Sequence, residues 1–424
     1  MDNRRIGYAC QNLDIPSNAY KTIRVANFND VKVREIIKHN LRALEETIDY
    51  NIENGIRLFR VTSSLIPFAS NQKIMKLDWQ NEFKNEFRRI KEKVLNNDIR
   101  ISMHPGQYVV LNSPNENTVS RSIEELNYHL QVIQSLGGNK TSKMIIHIGG
   151  VFKDKTESIH RFIDIVNNRL TADIKEHLVI ENDDKLYNIE DVLYISSMTR
   201  LPVVFDNLHN EINQGPSKYD NRTILNKVQS TWKKEDGRLK IHYSQQAENK
   251  RIGAHTYTIE ASKFLEFFNP LKDLEFDIML EVKDKNRSAV KINLLLNNII
   301  KDAEKEWSRY KYLVLGKSSN SYLQIRDILK DKKNFSAINF YNIIDGALKE
   351  KENKDSEINA LQHVWGYLKN ESTKKEKATF LTEVEKYKNS AITLQKVKKS
   401  LFKMVSKYNI GYLLKSYYFT FEDD

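Results

Sequence analysis

The sequence predicts an α/β fold, a (β/α)8 TIM-type barrel over residues 1–300, followed by a small all-α domain over 301–424. Three observations lead there. Short β-branched, apolar runs recur eight times in the first 300 residues, each of strand length. Behind each lies a longer segment whose apolar residues repeat at three-and-four spacing, the mark of a crossover helix. Past residue 300 the pattern is helical throughout. Eight such units in about 300 residues fit a closed barrel; an open doubly wound sheet is the other arrangement open to them.

Taken in order, the first run is RIGYAC at 5–10, and the amphipathic stretch 33–55 that follows it stops at Gly55, a helix-ending residue. IRLFRVTSS (56–64) and RISMHPG (100–106) come next, with Pro105-Gly106 turning the chain at the end of the third run. KMIIHIGG (143–150), HLVIEND (177–183), PVVFDNLH (202–209), LKIHYSQQ (239–246) and DIMLEVKDK (277–285) complete the eight. VKINLLLNNIIKDAEKEW (290–307) reads as the eighth helix. In the tail, SYLQIRDILKD, NALQHVWGYLKN, KATFLTEVEKYKN and AITLQKVKKSLFKMVSKYN each show an apolar stripe, with polar or lysine-rich joins between them.

The composition narrows the partners. The chain has 424 residues, 40% of them hydrophobic, and a formal net charge of +11. Residues 301–424 hold 24 Lys and Arg against 17 Asp and Glu, so the tail carries +7 of the excess. A basic balance of this size suits a polyanion. Cys10 is the only cysteine, which rules out an intramolecular disulfide and fits a reducing compartment. The start, MDNRRIGYAC, is charged where a signal peptide needs an apolar stretch, and no run approaches bilayer length. A cytoplasmic, bacterial-type location, no membrane partner and a monomer are the expectations.

The chemistry is concentrated at the strand ends. His104, His147, His209 and His242 sit at the carboxyl ends of four predicted strands, with His255 in the loop after the seventh; Glu181, Asp206 and Glu281 occupy three such ends. A barrel gathers these ends onto one face. Each residue alone has an ordinary structural reading, a helix cap for an acid or a satisfied core hydrogen bond for a histidine. Together, five imidazoles and three carboxylates make a poor core but a good cation site. Mixed nitrogen and oxygen ligands suit Zn²⁺, Mn²⁺ or Fe²⁺ over Mg²⁺ and Ca²⁺. Eight ligands exceed what one ion takes, so two or three ions are expected, with Glu181 and Asp206 as candidate bridging carboxylates. Such clusters activate water for phosphoryl displacement, and the expectation is a metal-dependent phosphodiester hydrolase. Lys240 shares the inward face with His242; an ammonium there is repelled unless it is deprotonated, paired with a carboxylate or phosphate, or converted to a carbamate.

The ordered motifs IGYACQNL, LIPFAS, SMHPGQYVVL, IIHIGG, VIENDD, VVFDNLHN, KIHYSQQ, GAH and DIMLEVKDK resemble those of the UV damage endonucleases, relatives of endonuclease IV, over roughly residues 4–290. The resemblance implies a (β/α)8 barrel with a divalent cluster, usually manganese, with Zn²⁺ or Co²⁺ as alternatives. It implies nicking of duplex DNA immediately 5′ of a cyclobutane dimer or 6-4 photoproduct, leaving a 3′-hydroxyl. Carried over motif by motif, the ligands would be His104, His147, Glu181, Asp206, His209, His242, His255 and Glu281, with Glu181, Asp206, Glu281 and Lys240 as catalytic groups. Gln107 and Tyr108 would probe the lesion, Tyr8 and Asn12 would contact DNA at the mouth, and Lys283, with Lys285, would meet backbone phosphates. The family often reads ASH where this chain has ASN, so Asn71 replaces a histidine. UV-damaged double-stranded DNA is the implied partner. The alternatives are an abasic-site endonuclease of the endonuclease IV type, a sugar isomerase on the same barrel, and a metal-free nucleic-acid-binding barrel.

In the tail, YKYLVLGKSSNSY, ALQHVWGYLKN and YLLKSYYF resemble the helical YbgA-type domain over about 307–421. His363, Trp365, Tyr367 and Lys369 form its densest cluster of chemically capable residues, although Trp and Tyr at helical spacing also suit a core.

Overall fold

The computed structural model describes residues 2–15, 19–71 and 73–421. Each of the eight predicted runs meets a strand, the last starting one residue ahead of its run: β1 Ile6–Ala9, β2 Leu58–Val61, β3 Arg100–Met103, β4 Lys143–Ile146, β5 Leu178–Glu181, β6 Val203–Asp206, β7 Leu239–Tyr243 and β8 Phe276–Leu280. They close into a barrel in sequence order, with β8 returning to pair with β1, and every pairing is parallel. The barrel expectation holds and the open sheet is excluded.

Helices fill the connections. The helix Asp30–Glu53 is capped by Asn29, whose side chain accepts from the amides of Val31 and Lys32, as an orphaned first turn requires. Its buried stripe is Val33, Ile37, Leu41, Leu44 and Ile48, the three-and-four spacing that predicted it. Among the described residues, no helix is long and apolar enough to cross a membrane.

Register fixes which residues face inward. Leu58 pairs with Arg100 and Arg60 with Ser102; Lys240 pairs with Asp277 and His242 with Met279. Paired residues point the same way, so charged side chains enter the barrel at two levels. At the amino end Arg100 donates to Asp277 Oδ2 at 3.0 Å, to the Thr141 carbonyl at 2.8 Å and to the Asp236 carbonyl at 3.2 Å. Lys143 donates to Asp236 Oδ1 and to the Glu176 carbonyl, both at 2.6 Å. These charges are buried but matched, the condition under which buried charge is tolerated.

The chain divides into two compact units, one of residues 2–259 and 266–293, the other of 260–265 and 294 onward. The second is all-helical: Ile300–Lys317, Ser319–Lys330, Ala337–Leu348, Lys354–Trp365, Lys374–Lys388, Leu394–Lys407 and Gly411–Leu414. It packs two apolar clusters, one around Tyr310, Phe340 and Ile344, the other around Leu361, Val364, Phe380 and Leu401. The helix expected over 290–307 is broken. Asn286–Asn297 ends at Asn298, whose φ of +52° leaves the helical region, and Ile300–Lys317 begins anew. Asparagine tolerates that conformation, and its side chain receives the Ala337 amide at 2.7 Å.

Gly7 in β1 shows how tightly the barrel closes. A Cβ at that position would stand 2.3 Å from the Leu58 carbonyl oxygen on β2. The Gly7→Ala variant is expected to lose about 3 kcal/mol, the upper end of the cost of overpacking a core, measured by urea unfolding. A loss under about 1 kcal/mol would mean that β1 and β2 can part without penalty.

Candidate metal centre

The strands deliver their last inward-facing residues to one point. Glu181 closes β5 and Asp206 closes β6, while His104, His147 and Glu281 are the first residues past β3, β4 and β8. His242 lies near the end of β7, and His209 stands in the short helix Asn207–Ile212 that opens on Asp206. The Glu181 carboxylate is the hub, 1% exposed. Its Oε1 lies 2.8 Å from His242 Nδ1 and 3.8 Å from His209 Nδ1; its Oε2 lies 3.2 Å from His104 Nε2 and 3.8 Å from His147 Nε2. His242 Nδ1 is also 3.1 Å from Glu281 Oε1. Ligand atoms of His104, His147 and Glu181, and of Glu181, Asp206 and His242, lie within 4.8 Å of one another, two groups able to hold a metal ion.

The donor set fits cations. His104 faces an acceptor with each ring nitrogen, Nδ1 with the Pro105 carbonyl at 3.0 Å and Nε2 with Glu181 Oε2 at 3.2 Å. A neutral imidazole carries one proton for the two contacts, so a positive charge, a second proton or a metal ion, completes the set. Likewise His209 Nδ1 faces the Asn182 carbonyl at 3.0 Å, an arrangement that fixes the tautomer and frees Nε2 as a ligand. Among the described residues, Asp206 Oδ2, His242 Nε2 and His147 Nδ1 are buried without a hydrogen-bond partner. Orphaned buried polar atoms are costly unless a ligand or ion completes them.

The electrostatics agree. Burial alone would raise the Glu181 carboxyl, but His242, His147 and His104 hold it well below the usual range. Burial pushes Asp206 up to about 8, against His209 and with help from Glu181 and Glu281. Burial depresses His147 and His242 against the pull of Glu181, which favours the neutral imidazole, the form that binds metal. His209 is raised to about 9, because Asp206 and Glu181 outweigh its burial. Glu281 is lowered despite burial by Arg60 and His242.

The remaining expected residues fall in different places. His255 is half-buried in the loop after β7, where its backbone bridges to Gln246 and its ring feels Glu281 and His209. Gln107 and Tyr108 project from the loop after β3, with Tyr108 83% exposed. Lys283 is exposed and Lys285 half-buried, just past β8. Asn71 is exposed, its side chain accepting the Lys73 amide. Tyr8 and Asn12 are buried: the Tyr8 hydroxyl donates to Asn51 Oδ1 at 2.8 Å and receives the Asn12 amide at 3.0 Å. Asn12 Oδ1 in turn receives the Asp14 amide, so the pair shapes the loop after β1 from beneath. Lys240 is buried inside the barrel, its Nζ without a hydrogen-bond partner among the described residues, and burial, reinforced by Arg100 and Arg60, holds its pKa well below normal.

Sequence reasoning missed Arg60, which pairs with Glu281 and reaches the hub through it. The available signal was a charge inside the apolar run IRLFRVTSS, two positions from Leu58 and so on the same face. The Asn182 carbonyl, which orients His209, left no signal because any residue supplies a carbonyl.

A family model described as UV-endonuclease UvdE matches residues 4–307, and one described as a protein of unknown function, DUF1722, matches residues 311–421, the segment whose motifs resemble the YbgA-type domain. A UV DNA damage endonuclease of Clostridium perfringens is 36% identical over 407 residues, covering 94% of this chain and 96% of its own. The UV DNA damage endonuclease of Bacillus thuringiensis subsp. konkukian is 28% identical over 66% of this chain and 90% of its own. Among solved structures, the crystal structure of SacUVDE is 39% identical, with a TM-score of 0.65, aligned over 70% of this chain and 99% of that one.

Lys240 offers a test of the site's internal strain. Lys240→Met removes an unpartnered buried donor and should raise stability at pH 7 by about 1–3 kcal/mol. The folded-state pKa lies well below the ordinary 10.5, so between the two values the unfolded chain binds the extra proton and the parent gains stability as pH rises. The variant's advantage therefore shrinks toward pH 10.5, read by urea unfolding at pH 7 and pH 10.5. An advantage equal at both pH values would mean that Lys240 stays charged in the fold.

Proposed function

The chain belongs to the UV-endonuclease UvdE family, and from that premise we propose that it nicks duplex DNA immediately 5′ of cyclobutane dimers and 6-4 photoproducts, leaving a 3′-hydroxyl. By homology it is an endonuclease of UV-damaged DNA. The observation that carries the finer reading is the buried Glu181 carboxylate shared by four imidazoles, with Asp206 Oδ2 orphaned beside it.

His104, His147, Glu181, Asp206, His209, His242, His255 and Glu281 would hold two or three divalent ions, Mn²⁺ by our assignment. When bound, such ions supply a water nucleophile at neutral pH and charge neutralisation on the phosphate. The chain's own groups do the rest. His147 and His242, whose charged forms burial disfavours, would present lone pairs to the ions. Arg60 holds Glu281 in place. Lys240 lies too deep to meet a backbone phosphate; the neutral amine that burial favours, or the carbamate it would form with carbon dioxide, keeps a cation from standing beneath the hub. Gln107 and Tyr108 stand clear of the surface and probe the stack where a lesion has already weakened pairing. Tyr8 and Asn12 position the first loop, and Lys283 contacts a phosphate. Residues 1–300 form the catalytic domain.

Purified protein should carry at least about one manganese ion per chain after manganese-replete expression and should nick UV-irradiated supercoiled plasmid. Glu181→Gln is expected to lower incision more than about 100-fold with folding retained, since loss of an outer partner alone costs 10- to 100-fold. A metal-free preparation that still cuts would overturn the cluster reading. Cutting of an abasic duplex but not a dimer duplex would give the site to an abasic-site endonuclease.

Replacing both Gln107 and Tyr108 by Ala should reduce dimer-dependent incision at least about tenfold and leave metal content unchanged, because the cost falls on opening the stack. Equal loss of metal and incision would make the loop a structural one.

A further inference from the structure

The motif QHVWGYLK splits into two environments. Trp365, the last residue of the helix Lys354–Trp365, is buried and stacked on Phe380, with ring centroids 4.5 Å apart and planes 7° apart. Tyr367, two residues on, is 40% exposed, and Tyr412, on the turn Gly411–Leu414, is 37% exposed. Neither belongs to an apolar cluster of the helical unit. Their rings nevertheless lie parallel, 10° apart in plane with centroids at 5.5 Å. Both stand edge-on to a third ring, Tyr312, at 6.1 Å and 6.4 Å. Tyr312 is 3% exposed, and its hydroxyl is bonded to that of Tyr367 at 2.9 Å. The backbone on either side is pinned as well: the Tyr367 amide donates to the Val364 carbonyl and the Leu413 amide to the Ile410 carbonyl. A buried phenol thus holds a rigid, partly solvent-facing aromatic pair.

We propose that Tyr367 and Tyr412 are a stacking platform for the unpaired bases of a single-stranded nucleic acid, whose phosphates are held by lysines of the same unit. The site goes beyond the incision reading and needs no metal. One face of each ring lies against the other and the Tyr367 hydroxyl accepts from Tyr312, which fixes the rings and leaves the outer π-face of each as the pair's broad surface for a ligand. Such a surface extends a base stack without reading sequence, and only unpaired bases have faces free to join it. The charge is complementary. Residues 301–424 carry +7; Lys369 and Lys415 are exposed on the segments that bear the two tyrosines, and Lys311 Nζ sits 5.2 Å from the Tyr312 ring. A proline-rich peptide would also dock on aromatic rings, but it gives no reason for the excess of cations.

The test uses the full chain and a fluorescein-labelled dT12 oligonucleotide, with anisotropy as the readout and a 5-iodouracil version for photocrosslinking. Crosslinks should fall on the peptides bearing Tyr367 and Tyr412. Tyr367→Ala and Tyr412→Ala should each weaken binding at least about fivefold, the low end of one stacked base. Tyr367→Phe and Tyr412→Phe, which keep the rings, should bind within about twofold of the parent. Lys369→Gln with Lys415→Gln should flatten the slope of log K against log salt by about 1.4, two single-strand phosphates' worth. Crosslinks confined to residues 1–300, alanine variants that bind as the parent does, or a proline-rich peptide that protects the platform while dT12 does not, would each overturn the proposal. Nicking of irradiated plasmid by the same preparations is scored separately, so loss of the incision reading and loss of the platform are told apart.

Discussion

One buried carboxylate organises the first unit. Glu181 faces His242 and His209 with one oxygen and His104 and His147 with the other. Those residues come from five consecutive strand ends and their loops, so the arrangement exists only if the barrel closes in register. A slip of one residue on any strand would turn its ligand out of the barrel and replace it with an apolar neighbour. Closure and site are therefore one constraint. The tight approach of β1 to β2 at Gly7 belongs to the metal centre's specification as much as to the fold's.

The two ends of the barrel solve the problem of internal charge in opposite ways. At the amino end Arg100, Lys143, Asp277 and Asp236 satisfy one another and nearby carbonyls at ordinary distances. At the carboxyl end Asp206, His242 and His147 keep polar atoms without partners, among the described residues. Lys240 lies between, drawn by Asp277 on one side and Glu181 on the other yet bonded to neither. A fold able to pair its charges at one end has no difficulty doing so at the other. The unsatisfied end marks where local stability yields to function.

Much of this was legible in the sequence. Seven of the eight strands lie inside runs marked by β-branched residues and polar ends, β8 begins one residue ahead of its run, and the hub residues stand out because imidazoles and acids close those runs. The ordinary reading of an acid at a strand end is also half right. Asp206 does cap the following helix, accepting the His209 amide at 2.8 Å with Oδ1, and only Oδ2 is left over. A single sequence cannot divide a carboxylate between two jobs. The burial of Tyr8 and Asn12 was not legible for a similar reason: their partner, Asn51, lies near the end of a long helix and polar residues there usually face water. The helix Ala337–Leu348 is not among the tail segments the sequence marks, although AINFYNIIDGAL buries Ala337, Phe340, Tyr341 and Ile344 at three-and-four spacing.

The tail motif shows where periodicity stops being informative. Trp365 and Tyr367 are two positions apart, and on a continuing helix they would sit on different faces with either one as the core residue. The helix ends between them, at Gly366, and the chain tightens into turns in which the Leu368 amide reaches the Trp365 carbonyl. The turn sends the indole into the cluster around Phe380 and the phenol out beside Tyr412, a residue 45 positions away in sequence. An aromatic pair assembled from a helix end and a distant four-residue turn is invisible to any local pattern. Stacking usually earns its place by burying both rings; here a buried third ring supplies the rigidity, and the pair's remaining surface is left for something other than the core.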